Sequence, residues 1–171
     1  MYRGDSDELQ AARTQLVSYS SRLLADGLAI GSAGNISVRP GDLVAITPSG
    51  IPYNGMRPED ICVVALDGTE LANAETPSTE TPMHLAIYAQ TKAAAVAALD
   101  GRSAVILRNH GAVTYGRDLA QAYDRALLLE WLARTYRMAL SYGEPATLSG
   151  AELDEVTAES RRRRYGERRQ S

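Results

Sequence analysis

The alternation of helix-like and strand-like segments is the feature that most restricts how this chain can fold. Two segments, residues 5–27 and 118–141, carry apolar side chains at three- and four-residue spacing, which predicts a helix in each. The second helix is predicted to bury a stripe of side chains that extends from Leu119 to Ala139. Short apolar runs at 43–47, 61–68 and 103–109 are typical of strands, and a third helix is predicted at 77–91. This order predicts an α/β or α+β domain in which helices cover a sheet.

Composition and charge argue against some classes of function for this chain. The chain has 171 residues, a net charge of −3 and a pI of about 5.4, which favours one domain and disfavours nucleic-acid binding. An arginine-rich tail at 161–169 contains one aromatic residue, Tyr165, so a solvated end or a contact with a neighbouring subunit is expected there. Cys62 is the single cysteine, and no apolar run is long enough for a bilayer or a signal peptide. We therefore expect a cytoplasmic protein without a membrane partner.

Three polar turns lie beside apolar segments. We call them the first turn (31–37, "GSAGNIS"), the second turn (47–52, "TPSGIP") and the third turn (76–81, "TPSTET"). Glycine and hydroxyl residues in such turns can direct N–H and O–H donors at one anion, and phosphate is the common ligand. Each turn taken alone is better explained as an ordinary loop, and the sequence does not show that the three turns converge.

Glu80 and His110 are the candidate reactive groups. Glu80 lies where the third turn enters a helix, so it either complements the helix dipole or moves protons beside an anion. His110 lies in "RNHG" at the end of a strand, where it is either a hydrogen-bonded structural residue or a base or metal ligand. The other histidine, His84, lies within a predicted helix and is interpreted as a packed or capping group.

The motifs in this order resemble the class II aldolase/adducin family. The matching stretches are "GSAGNISVR", "ITPSGIPYNGMRPEDICVVALDG", "ETPSTETPMHLAIY" and "AVILRNHGAVTYGRDLAQAYDRALLLE". They cover most of residues 8–141. The resemblance implies a three-layer α/β fold, in which helices cover both faces of a central, mostly antiparallel sheet. It also implies a homotetramer with its sites at the subunit interfaces.

The resemblance also implies a binding site for the phosphate of a small sugar phosphate. In the family this phosphate is held by the asparagine of the first turn, by the Ser-Gly of the second turn and by two hydroxyl residues of the third. The corresponding residues here are Asn35, Ser49, Gly50, Ser78 and Thr79.

Catalytic roles follow from the same resemblance. Glu80 corresponds to the family's catalytic proton shuttle, His110 to a ligand of its zinc, and Tyr165 to a tyrosine that reaches the active site. The implied reaction is a retro-aldol cleavage to glycerone phosphate and a short aldehyde, with Zn²⁺ (or another divalent metal such as Mn²⁺) stabilising the enediolate. The alternatives are a pentulose-phosphate 4-epimerase with the same bond cleavage, and a non-catalytic adducin-like interaction module.

One family feature is missing from the sequence. Family members carry a His-x-His pair that supplies two more zinc ligands, and here a block containing that pair is absent near residues 95–98. Either the molecule contains the block and the sequence omits it, or the deletion is real and the protein is a degenerate member. We favour the first explanation, because deleting strands would expose apolar sheet edges and cost more than a small domain's marginal stability.

Overall fold

The computed structural model describes residues 6–71, 74–89 and 99–163. The described residues up to Trp131 form one compact unit, and those from Leu132 onward form a second. All residues of the candidate site that the structure describes belong to the first unit. Within the described ranges, no helix has the length and apolar character needed to cross a membrane.

Helix α1 (Asp7–Ala25) confirms the helix predicted at 5–27 and is two residues shorter at each end. The Ser6 hydroxyl accepts a hydrogen bond from the Leu9 amide at 3.2 Å and so caps the first turn, while Gly27 follows the helix with a φ of 69°. Leu9 and Leu16 are completely buried. This face of α1 forms one side of the main hydrophobic core.

The other side of the core is a four-stranded antiparallel sheet with the order β1-β2-β3-β4. Its strands are β1 (Ser37–Val38), β2 (Leu43–Ile46), β3 (Cys62–Ala65) and β4 (Glu70–Leu71), and a 3₁₀ turn (Pro58–Asp60) precedes β3. Strand β2 pairs with β3 from Leu43–Ala65 to Ile46–Cys62. Both strands read as continuous apolar runs, and their central residues are buried.

The first unit also contains a shorter helix, a separate hairpin and the start of the helix that follows. Helix α2 (Thr81–Ala89) follows the third turn, and strands β5 (Ala104–Leu107) and β6 (Gly111–Thr114) form the hairpin. The sequence predicts a strand at 103–109 that ends at His110, and in the structure the chain turns there and returns as β6. The antiparallel strands and helices agree with the predicted α/β class. The described strands, however, form two sheets rather than one central sheet.

Two long helices occupy the C-terminal part of the described chain, α3 (Leu119–Leu140) and α4 (Gly150–Arg162). The predicted buried stripe of α3 is correct at Leu119 and Tyr123. It is wrong farther along, where the side chains of Leu132 and Tyr136 are about half exposed, with values of 48% and 51%. Helix α4 is not predicted by the sequence analysis, although Ser149 and Glu152 form a capping box at its start.

Candidate active site

Thr47 connects the first two polar turns. Its side chain is completely buried. Its amide donates to the Ile36 carbonyl at 3.1 Å, and its hydroxyl accepts from the Ile36 amide at 3.2 Å. These bonds hold the residue after Asn35 against the end of β2, so the first and second turns lie side by side.

The third turn is joined to the second in the same way. The Ser78 amide donates to the Thr47 carbonyl at 3.2 Å, and the Ser49 amide donates to the Thr76 carbonyl at 2.8 Å. The two prolines between these residues pair as an isolated antiparallel bridge. The structure therefore brings all three predicted turns together, with Thr47 in the middle.

The remaining donors of the second and third turns lie on the surface. Ser49, Gly50 and Thr79 are exposed, whereas Ser78 is buried. Within the described part of the chain, no hydrogen bond is found for the amides of Gly50 and Thr79. Gly50 has a φ of 73°, a conformation that favours glycine. Two amides and two hydroxyl groups are thus available to an anion at this rim.

Ser78 connects the third turn to helix α2. Its hydroxyl accepts from the Glu80 amide at 3.2 Å, and its carbonyl accepts from the Thr81 hydroxyl at 2.6 Å. The Glu80 carbonyl then accepts the His84 amide at 3.2 Å in the first helical turn. The carboxylate of Glu80 is consequently held at the positive end of the helix dipole, next to the exposed donors.

His110 lies beside this carboxylate. Its Nε2 atom is 3.4 Å from Glu80 Oε2, and both side chains are partly exposed. The hairpin turn places it there: the His110 amide donates to the Leu107 carbonyl at 3.2 Å, and Asn109 has a φ of 58°. A positive φ suits the third residue of a type II turn, where asparagine is tolerated. The two predicted reactive residues are therefore neighbours, although 30 positions separate them in the sequence.

His84 is bonded through both ring nitrogens. Nε2 lies 2.6 Å from Asn35 Oδ1, and Nδ1 lies 2.7 Å from the Ser37 hydroxyl, which is itself 2.9 Å from the Tyr88 hydroxyl. Burial lowers the pKa of His84 to about 4, so the ring is neutral at physiological pH. The interpretation of His84 as a packed group is correct, and the structure adds a direct bond to the candidate phosphate ligand Asn35.

The described residues do not form a zinc site by themselves. A catalytic zinc takes three protein ligands and an open position. Only Glu80 accompanies His110, the only other histidine of the sequence is His84, and no group of three or more His, Cys, Asp or Glu residues is found within the described ranges. The role of His110 as a metal ligand stays a prediction.

Two predictions fall on residues outside the described ranges: Tyr165 and the missing block near residues 95–98. The sequence analysis gave no role in the site to Thr47, Ser37 and Tyr88, and it interpreted His84 only as a packed or capping group. The repeated Thr-Pro-Ser of the second and third turns was the available signal for Thr47. No local signal connects His84 with Asn35, 49 positions away.

Comparisons with known proteins agree on one family. A model described as the class II aldolase and adducin N-terminal domain matches in two overlapping pieces, residues 14–97 and 90–137. The 5-deoxy-D-ribulose 1-phosphate aldolase of Bacillus thuringiensis serovar kurstaki is 29% identical, covering 86% of this chain and 94% of the relative. An L-fuculose phosphate aldolase of Methanococcus maripaludis is also 29% identical, over 66% of this chain and 89% of the relative. A solved structure of an L-fuculose 1-phosphate aldolase has a TM-score of 0.80 at 26% identity, covering 92% and 98% of the two chains.

The relatives contain residues that this chain lacks. The match to the Bacillus enzyme extends over 201 residues. It covers only 86% of the 171 residues of this chain, which is about 147 residues, so about 54 of the aligned positions have no counterpart here. In the family match, residues 90–97 belong to both pieces. The matched pieces thus meet in the region that separates α2 from the hairpin.

Proposed function

Because the chain belongs to the class II aldolase and adducin family, we propose that it is a sugar-phosphate aldolase that cleaves a ketose 1-phosphate into glycerone phosphate and a short aldehyde. The family prediction is confirmed, and the predicted class, a carbon–carbon lyase, agrees with relatives named as aldolases. The sugar, the metal and the individual site residues belong to the proposal, as do a homotetramer and a cytoplasmic location.

The observation that carries this proposal is the convergence of the three polar turns beside Glu80. The hydrogen bonds of Thr47 join the turns, and exposed donors remain on Ser49, Gly50 and Thr79. These donors, with the Asn35 amide, suit the phosphate of a sugar phosphate, because backbone and hydroxyl donors at a helix start bind such anions. Ser78, the fifth predicted phosphate ligand, is buried, and its hydroxyl accepts from the Glu80 amide.

Glu80 is the proposed proton carrier. Retro-aldol cleavage breaks a carbon–carbon bond. The hydroxyl group on one side of that bond loses its proton and becomes the carbonyl of the aldehyde, and the electron pair of the bond moves into the glycerone fragment to form an enediolate. The Glu80 carboxylate takes up the proton that the hydroxyl group releases and then, as the acid, gives a proton to the carbon that lost the bond, while a bound phosphate fixes the distance of that carbon from the acid. His110 contacts the carboxylate at 3.4 Å and helps to fix its direction.

A divalent metal, zinc or manganese, is the family's means of stabilising the enediolate. The described residues offer His110 and Glu80 and no third ligand. We therefore assign no step of the reaction to a metal held by these residues alone. The further ligands belong to the block that this sequence lacks.

Product formation tests the proposal. The purified protein, with its intact mass measured, is incubated with zinc or manganese and a panel of ketose 1-phosphates. Release of glycerone phosphate is followed by coupling it to NADH oxidation. We expect one of these sugars to yield glycerone phosphate. If the protein instead forms an epimeric pentulose phosphate and releases no glycerone phosphate, the result indicates the 4-epimerase. If the protein binds inorganic phosphate but forms neither product, the proposal that it is an enzyme is refuted.

The shortened chain favours one second candidate, a non-catalytic module that retains phosphate binding. About 54 of the 201 positions aligned with the Bacillus relative have no counterpart here, and only two histidines are present in the sequence. An intact mass near 18.4 kDa, together with phosphate binding and no turnover, is the result expected for this candidate. A mass several kDa higher favours the aldolase.

A further inference from the structure

The hydrogen bonds around His84 run in a single direction. A neutral imidazole has one donor nitrogen and one acceptor nitrogen. Nε2 faces the Asn35 Oδ1 atom at 2.6 Å, and an amide oxygen can only accept, so Nε2 carries the proton. Nδ1 is then the acceptor, and the Ser37 hydroxyl, 2.7 Å away, donates to it.

Tyr88 completes this series of bonds. The Ser37 hydroxyl has a single proton, which it gives to His84, so it accepts from the Tyr88 hydroxyl at 2.9 Å. Burial raises the pKa of Tyr88, and its hydroxyl therefore keeps the proton that it donates. We call these bonds the His84 relay: Tyr88 to Ser37, Ser37 to His84, and His84 to Asn35.

The relay determines which end of the Asn35 amide is left for a ligand. With Oδ1 fixed on His84, the Nδ2 group is the free end, and it is a donor. The reverse direction would leave the carbonyl oxygen free, and an oxygen repels an anion. Asn35 lies between Gly34, whose φ is 101°, and Ile36, which is bonded to Thr47, so its backbone is fixed as well.

We propose that His84, supported by Ser37 and Tyr88, is a positioning residue that holds the Asn35 amide with its NH₂ group toward the substrate phosphate. This inference rests on the proposed function, because only there does Asn35 bind the phosphate. His84 itself does not touch the substrate. Its effect reaches the ligand through one hydrogen bond to Asn35.

The binding of inorganic phosphate to the full chain tests this inference without requiring turnover. Asn35→Ala is expected to raise the dissociation constant about tenfold or more, as the loss of one hydrogen bond to a charged group does. His84→Phe keeps a ring but removes both polar atoms, and we expect a loss of the same order. His84→Gln can still donate to Asn35, and it is expected to stay within about threefold of the unmodified chain.

A double variant separates positioning from general damage to the fold. If His84 acts through Asn35, adding His84→Phe to Asn35→Ala causes little further loss, within about threefold of Asn35→Ala alone. Leu85→Ala is the matched control, because Leu85 is next to His84 in α2 and lies near Gly68 rather than in the relay. This control is expected to lower the thermal midpoint and leave phosphate affinity within about twofold.

Kinetics provide a second measurement once a substrate is found. His84→Phe is expected to raise KM about tenfold and to lower kcat by less than about threefold. The inference is overturned if His84→Phe binds phosphate as well as the unmodified chain does while Asn35→Ala does not. Independent, additive losses in the double variant also overturn it. An unmodified chain that does not bind phosphate overturns the proposed function itself, and this inference with it.

Discussion

The pH dependence of folding stability offers a direct test of the environment of His84. Burial lowers the pKa of this residue to about 4 in the folded chain, against an ordinary value of 6.5. The unfolded chain therefore takes up a proton here at a higher pH than the folded chain does. The stability that comes from the neutral, partly buried ring is fully present above pH 6.5, and it is lost as the pH falls toward 4.

The expected change is large enough to measure. A shift of about 2.5 units corresponds to about 3 kcal/mol when fully developed. Between pH 7 and pH 5 the loss is about 2 kcal/mol, because the unfolded ring is almost fully protonated at pH 5 and the folded ring is still mostly neutral. A domain of this kind has a free energy of unfolding of roughly 5–15 kcal/mol, so the change is a substantial fraction of it.

Urea unfolding of the original chain and of His84→Gln, followed by far-UV circular dichroism from pH 5 to pH 8, measures this effect. Carboxyl groups whose pKa is lowered by hydrogen bonds, such as Asp60 and Asp118, contribute equally to both chains and cancel in the difference. The difference between the two chains is expected to change by about 2 kcal/mol over this range. Parallel curves for the two chains would show that His84 is not held neutral by burial.

Three further substitutions test separate parts of the site. Glu80→Gln is expected to keep phosphate binding and to lower kcat by about 10²- to 10⁴-fold; unchanged turnover would exclude Glu80 as the proton carrier. Thr47→Val keeps the shape of the buried side chain but removes the bond to the Ile36 amide, so we expect a loss of about 1–3 kcal/mol in urea unfolding, which Thr47→Ser should largely avoid. Asn109→Val forces a β-branched residue into a positive φ and should cost about 1–3 kcal/mol, while Asn109→Gly should cost little; equal stabilities of these two variants would contradict the turn geometry.

Much of the secondary structure could be predicted because periodicity and capping are local properties of a sequence. Helix α1 lies within the predicted range, with Ser6 before it and Gly27 after it, and the strands around Ala45 and Val63 are short apolar runs. The exposed second half of α3 could not be predicted in the same way. An apolar stripe indicates that a helix face is suited to burial, but it does not tell whether the described chain provides a covering surface.

The residues of the site could be identified from motifs, but their arrangement could not. The convergence of the three turns depends on the bonds of Thr47 to Ile36 and Ser78, which join positions far apart in sequence. The pairing of Glu80 with His110 depends on a turn that directs the histidine back toward α2. Pattern analysis assigns residues to elements, whereas contacts of this kind follow from how the elements pack.

The position of the three turns in the chain has an evolutionary consequence. Among the described residues, the bonds that join them lie between residues 30 and 88, before the region in which the matched pieces of the family meet. If the three turns hold the substrate phosphate as proposed, gain or loss of chain in that region leaves the phosphate-binding residues in place. The sugar that is accepted, or the reaction that follows, can then change without rebuilding recognition of the phosphate.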